Sequence, residues 1–212
     1  MSWAAEELKT ASLGDKRRNR RLIKIVEDLS AMPIASVTQA ARDGAAVQGT
    51  YEFWGNVRVQ APEILAAHRD STLSRMEGQE IVLAVQDTTE LDFTEHRKKQ
   101  GLGALSKKDA QGLKVHSVLC VSPLGVPLGV LHQKVWAREK NRRTTGYQDR
   151  KRAIEQKESH RWLESDKLTQ QWIPQDQKVV TVADREADIY ELFALLVCSV
   201  SSGRWQVGRN LQ

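Results

Sequence analysis

Cysteine and long apolar runs are what this sequence most lacks. It holds two cysteines in 212 residues, Cys120 in an apparent strand and Cys198 near the end of an apparent helix, with no CxxC pair and no histidine at ligand spacing. That pattern argues against a disulfide framework or a zinc site and leaves two buried structural thiols. No apolar run approaches the roughly 18 to 20 residues of a membrane span, and the opening "MSWAAEELKT" has no basic segment followed by an apolar one. No membrane role is expected, and the chain reads as unsecreted and cytoplasmic. Internal repeats and low-complexity segments are missing as well.

What is present describes a globular chain, 40% hydrophobic and 28% charged, long enough for one good core plus a smaller unit or for one large α/β domain. Its formal net charge of +5 is unevenly placed. Residues 1–80 hold eleven Lys or Arg against eleven Asp or Glu, whereas residues 95–152 hold fourteen against four. One-sided charge on that scale favours a polyanionic partner over a merely solvated face.

Residues 1–79 read as helices separated by turns. In "GDKRRNRRLIKIVEDL", Asp15 is placed as an N-cap, and Leu22, Ile25, Val26 and Leu29 recur at helical spacing. Arg17, Arg20, Arg21 and Lys24 fall on the opposite face, and six of the nine residues from Lys16 to Lys24 are basic, a density suited to a phosphate backbone. A second helix is expected over Ser36 to Ala46. Tyr51, Phe53 and Trp54 follow, residues that could stack on bases but on a small helical domain are more often core. A third helix starts near Pro62, with His68 in a structural role.

At Glu80 the periodicity changes. "IVLAVQD" and "KVVTVAD" look like strands buried on both faces, and residues 112–138 like an antiparallel hairpin around a Ser-Pro-Leu-Gly turn. Residues 150–172 suit one long helix with Ile154, Trp162, Leu168 and Trp172 on its inner side. "READIYELFALLV" suits another, and "GRWQVGRN" a final strand. A helix between hairpin and next strand implies a parallel return, so residues 80–212 are expected to form a mixed sheet with helical cover. The fold class is α/β, a small all-helical domain followed by that sheet.

The two apolar strands share one feature: each ends on an aspartate, Asp87 and Asp184. Sites gather at the carboxyl ends of strands in open α/β sheets, so on parallel neighbours these carboxylates lie side by side. Adjacent carboxylates stay ionised cheaply only with a cation between them, and hard oxygen ligands suit Mg²⁺ or Mn²⁺, the ions of phosphodiester chemistry. The competing explanation is local. Asp184 can cap a helix start, with Glu186 and Asp188 favoured by the helix dipole.

Six stretches, in order, carry a resemblance to a known family: "LGDKRRNRRL" at 13–22, "VLAVQDTTELDF" at 82–93, "VHSVL" at 115–119, "GVLHQKVWAR" at 129–138, "QKESHRWLES" at 156–165 and "ADREADIYE" at 183–191. Through them the chain resembles bacterial cut-and-paste transposases of the DDE class, those of transposon five and the insertion-sequence-four family. The resemblance implies a helical domain that recognises transposon ends in double-stranded DNA, then a ribonuclease-H-like catalytic domain. It carries metal binding to Asp87 and Asp184 and DNA binding to Arg18 and Arg21 within the basic helix of Arg17 and Lys24. Glu186 and Asp188 keep their local role, and His116 and His132 that of core or hydrogen-bonding residues.

The family's third carboxylate, a glutamate on a helix far downstream, has no counterpart before Gln212, nor has its dimerising C-terminal region. The expectation is therefore a truncated transposase, its ribonuclease-H-like domain incomplete and inactive alone, with a full-length transposase as a possible dimer partner. The alternative is a non-catalytic regulator that competes with such an enzyme for DNA ends. A third possibility is that the missing strand-to-helix elements leave the core open and the product unstable, its exposed apolar sheet favouring aggregation.

Overall fold

The structure, a computed structural model, describes residues 1–96, 98–138, 152–174, 176–194 and 205–209. Arg97, the basic run at 139–151, Cys198 and the end of the last expected helix lie outside them. The chain divides into two compact units, Met1–Ser74 and Arg75–Gln212.

In the first unit the capping chemistry decides where helices begin. Helix α1 spans Trp3–Glu7, with Ser2 as its cap. Helix α2 spans Lys16–Ala31 and starts where the Asp15 side chain accepts from the Arg17 amide. Its apolar stripe packs Leu22 and Ile25, flanked by Val26 and Leu29, against Leu8, Leu13, Phe53 and Ala67. The helix expected over Ser36 to Ala46 is instead two: α3, Val37–Ala40, closed at its start by a Ser36–Gln39 capping box, and α4, Gly44–Trp54. The chain turns extended at Ala41, and the Asp43 side chain caps a new helix by accepting from the Ala46 amide. A strong second N-cap outcompetes continuation of the first helix. Helix α5, Ala61–Met76, carries Pro62 in its first turn, and His68 Nδ1 lies 2.6 Å from Glu7 Oε1.

The second unit is a mixed six-stranded sheet. Its strands are β1 (Ile81–Asp92), β2 (Gly103–Ala104), β3 (Gln111–Val121), β4 (Pro127–Trp136), β5 (Lys178–Ala183) and β6 (Trp205–Arg209). Strand β3 pairs antiparallel with β1, β2 and β4, whereas β1, β5 and β6 run parallel in that order. The β3–β4 hairpin turns at Ser122–Gly125, where Gly125 takes φ +82°. Strand β1 differs from expectation twice. It runs past Asp87 to Asp92 because β3 keeps pairing with it to the end, and along Ile81–Gln86 it alternates between buried and half-buried positions. Asp87 therefore stands not where β1 stops but just past its last pair with β5.

One face of the sheet is covered by helix α6, His160–Trp172, preceded by a 3-10 turn at Ile154–Gln156 rather than by a continuous helix from residue 150. The buried face of α6 is Trp162, Ser165, Asp166 and Thr169, with Arg161 and Leu163 beside it. Trp162 meets His116 of β3 edge to face, 4.6 Å between centroids, and Asp166 Oδ1 accepts from Thr181 of β5 at 3.0 Å. Burial pushes the Asp166 carboxyl pKa up, while the Thr181 and Gln170 hydrogen bonds pull it back. Cys120, buried in β3, has its thiol pushed up to about 12 by desolvation and is inert at neutral pH.

Gly112 marks the tightest approach within the sheet. A Cβ there would sit 1.9 Å from the Leu91 carbonyl oxygen and 2.9 Å from Leu105 Cδ1. Backbone cannot yield as a long side chain can. Gly112→Ala is expected to cost the sheet unit about 3 kcal/mol in urea unfolding, and a loss below about 1 kcal/mol would contradict this packing. Gly49 in α4 is the contrast, because its added Cβ meets only the movable end of Arg21.

Candidate functional site

Each unit contributes a candidate. In the helical unit, Asn19 fixes the segment before α2 by donating to the Ala11 carbonyl and accepting from the Leu13 amide, and Gly14 turns the chain at φ +70°. The basic residues of α2 are therefore held at a defined angle. Arg17 and Arg20 are exposed, and Arg21, also exposed, lays its guanidinium against Gly49 of α4. Arg18 is half-buried and donates from Nη1 to the Leu13 carbonyl, while Lys24 lies 3.3 Å from Asp28, which also meets Arg42 at 3.3 Å. Arg17, Arg21 and Lys24 follow one stripe of the helix, and of these Arg17 and Arg21 are exposed and Lys24 half-buried. Of the three aromatics on α4, only Phe53 is core. Tyr51 and Trp54 are half exposed and meet edge to face at 5.8 Å, because the helix sets them one turn apart on its outer side.

In the sheet unit, the ladder between β1 and β5 ends at Val85 opposite Val182. Continuing the same register by two residues brings Asp87 level with Asp184. Alternation then puts both on the face of Val85 and Val182, opposite the face covered by α6. Both aspartates are exposed. The row extends across the sheet, since Asp87 pairs with Ser117 of β3 and Ser117 with Gln133 of β4, whose Nε2 donates to Ser117 Oγ at 3.1 Å. A line of polar groups thus crosses β1, β3 and β4.

Asp184 also does what the local explanation requires. It caps the 3-10 turn Arg185–Ala187, with Oδ1 accepting from the Glu186 amide at 2.9 Å. Glu186 does more than favour a helix dipole, because its Oε2 lies 2.6 Å from Nη2 of Arg161. Asp188 closes the turn as its C-cap, and helical backbone resumes at Tyr190. Among the described residues no group of three or more His, Cys, Asp or Glu could hold a metal ion.

Beneath the aspartates runs a chain of hydrogen bonds that sequence reasoning missed. Arg161 Nε donates to Thr88 Oγ1 at 2.9 Å, and Thr88 Oγ1 stands 2.9 Å from His116 Nδ1. With its oxygen accepting from Arg161, the Thr88 hydroxyl directs its proton to Nδ1. His116 then carries its own proton on Nε2 and donates to Gln86 Oε1 at 3.2 Å. Burial, helped by the Arg161 charge, brings the His116 pKa down to about 4. His116 is a neutral core residue, as the sequence suggested. Its unfolded pKa is about 6.5, so the unfolded chain takes up the proton first as pH falls. The sheet unit is therefore expected to lose about 3 kcal/mol between pH 6.5 and 4 from this group. His116→Gln should flatten that part of a urea-midpoint profile.

Further out, Lys114 is buried between Glu90 at 3.2 Å and Glu158 at 3.8 Å, and Arg138 grips both oxygens of Glu158 at 2.6 Å. That grip holds the Glu158 carboxyl below the usual range. No helix among the described residues is long and apolar enough to cross a membrane.

The comparison with known families bears on the helical unit. Residues 1–59, which contain α1 to α4 and all the basic residues of α2, match the transposase DNA-binding family, and this match supports a transposase-family DNA-binding protein.

Proposed function

We propose that the chain binds the ends of a mobile DNA element through α2, as a bacterial cut-and-paste transposase of the transposon-five and insertion-sequence-four type. In this reading Asp87 and Asp184 are two carboxylates of a DDE phosphodiester-transfer site on a ribonuclease-H-like sheet. The observation that carries it is the parallel β1–β5 ladder, whose register, continued two residues past the Val85–Val182 pair, would bring Asp87 level with Asp184. The sheet, antiparallel on one side of β1 and parallel on the other, supports it.

The residues fit a hard divalent cation. Neighbouring strands lie about 4.8 Å apart, so two exposed carboxylates on one face can share one ion. Mg²⁺ or Mn²⁺, when bound, supplies Lewis-acid stabilisation of a phosphodiester and activation of a water or hydroxyl. The chain's own residues do the rest. Asp87 and Asp184 orient the site, Ser117 and Gln133 continue the polar row along which a strand of DNA can lie, and α2 holds the duplex by its phosphates.

A second reading has its own support. Residues 1–212 bring two carboxylates to the site, with no third His, Cys, Asp or Glu grouped with them among the described residues. A protein that occupies DNA ends without cutting them, competing with a three-carboxylate enzyme, needs no more.

The test is binding and nicking of duplexes selected from a random library for affinity to the full chain. Binding should weaken steeply with salt, and Arg17→Ala and Arg21→Ala should each lower affinity and reduce the salt slope by about 1. Nicking by the chain alone is not expected. Mn²⁺-dependent nicking abolished by Asp87→Ala would instead show a complete nuclease, and absence of duplex binding at low salt would refute both readings.

A further inference from the structure

Arg161 is 7% exposed, and a guanidinium is costly to bury unless every donor is used. Here each arm has its own acceptor. Nε donates to Thr88 Oγ1 at 2.9 Å, Nη1 to the Glu158 carbonyl at 2.8 Å and Nη2 to Glu186 Oε2 at 2.6 Å. The rings of Trp136 and Trp162 flank the group, at 5.9 and 5.4 Å from Cζ. Thr88 follows Asp87 in the chain, and the Glu186 amide is the one that Asp184 caps.

The location gives these contacts a consequence. The last ladder pair between β1 and β5 is Val85 with Val182, so the two aspartates stand beyond the backbone bonds that hold their strands together. Two like charges at that point push the strand ends apart. A planar group that bonds Thr88 on one strand and Glu186 on the turn after the other closes the gap that the ladder leaves, and it does so with a charge of opposite sign.

We propose that Arg161 is a positioning residue, a clasp between the end of the β1–β5 ladder and the following turn that keeps Asp87 and Asp184 at one level without itself touching cation or DNA. Its effect on metal affinity rests on the reading of these aspartates as ligands, whereas the clasp can be measured separately.

The test compares the full chain with Arg161→Lys and Arg161→Met, using Mn²⁺ titration calorimetry and hydrogen exchange. Lysine keeps the charge but offers a single ammonium in place of the rigid fork. Groups that orient a metal ligand typically contribute about 10- to 100-fold in affinity, so Arg161→Lys should weaken Mn²⁺ binding by about 10-fold or more. Exchange should accelerate at residues 86–88 and 184–188 while the β3–β4 hairpin keeps wild-type protection. Arg161→Met should show the same pattern more strongly, and if it fails to fold, the lysine variant carries both measurements.

Unchanged exchange at 86–88 and 184–188 overturns the proposal, as does unchanged Mn²⁺ affinity in Arg161→Lys. Acceleration spread through the hairpin also overturns it, since Arg161 would then be a general packing residue. A wild-type chain that binds no Mn²⁺ removes the metal reading of Asp87 and Asp184, and the exchange pattern alone then decides for or against the clasp.

Discussion

Trp162→Ala is expected to lower the stability of the sheet unit by about 4 kcal/mol. Trp162 is 1% exposed and is among the largest fully buried side chains of the chain. The rest of the buried face of α6 is mostly polar, through Ser165, Asp166 and Thr169, so a disproportionate share of the apolar contact between α6 and the sheet comes from this one ring. Removing it leaves a cavity against His116 and loosens the shelter of buried Arg161. Urea unfolding followed by circular dichroism reads the effect. Trp162→Phe should recover more than half of the loss, and an alanine variant within about 1 kcal/mol of wild type would mean that α6 docks by its polar contacts instead.

Asp184→Asn should abolish divalent-metal binding while leaving the fold intact. Asp184 caps the turn after β5, and under the proposed function it would also hold a cation, so the substitution separates the two. Asparagine caps as well as aspartate, so the bond to the Glu186 amide survives and stability should shift by only a few tenths of a kcal/mol. The negative charge beside Asp87 is lost. Because outer-shell substitutions already cost about 10- to 100-fold in metal affinity, removal of a ligand charge should exceed about 100-fold. Thermal unfolding with and without Mn²⁺ distinguishes the roles. Wild type should gain stability on Mn²⁺ addition, and Asp184→Asn should match apo wild type in both conditions.

Much of this architecture is legible in the sequence, and the exceptions have physical causes. The Asp15 cap, the apolar stripe of α2, the Ser-Pro-Leu-Gly hairpin and the parallel return to β5 all follow from local rules that tertiary structure does not override. The break between α3 and α4 is hidden in the sequence because it depends on Asp43 as a second N-cap inside an otherwise helical pattern. Strand β1 outruns its apolar stretch because β3 supports it as far as Asp92. The inner face of α6 is legible only in part: Trp162 is buried as its spacing suggests, but the polar members of that face are not legible. A search for apolar spacing selects Leu168 and Trp172, of which Trp172 meets His132 of β4, whereas the helix also buries Ser165, Asp166 and Thr169, with Asp166 accepting from Thr181 of the sheet.

The site was legible to a similar extent. Asp87 and Asp184 stand out as acids after apolar runs, and the register of two strands adds what spacing alone could not, the parallel pairing of β1 with β5 up to Val85 and Val182. Arg161 gave no signal, because a basic residue within "QKESHRWLES" reads as solvated surface until its acceptors on Thr88 and Glu186 are seen. Tyr51 and Trp54 misled in the opposite sense, being aromatic yet exposed.

The most direct test of the central claim is paramagnetic broadening of the backbone amide spectrum of the full chain by substoichiometric Mn²⁺. A cation held between Asp87 and Asp184 should broaden the signals of residues 86–88 and 183–186 together and first, and both sets should persist in Asp184→Asn. Broadening centred on any other carboxylates, or of one strand end without the other, would contradict the account.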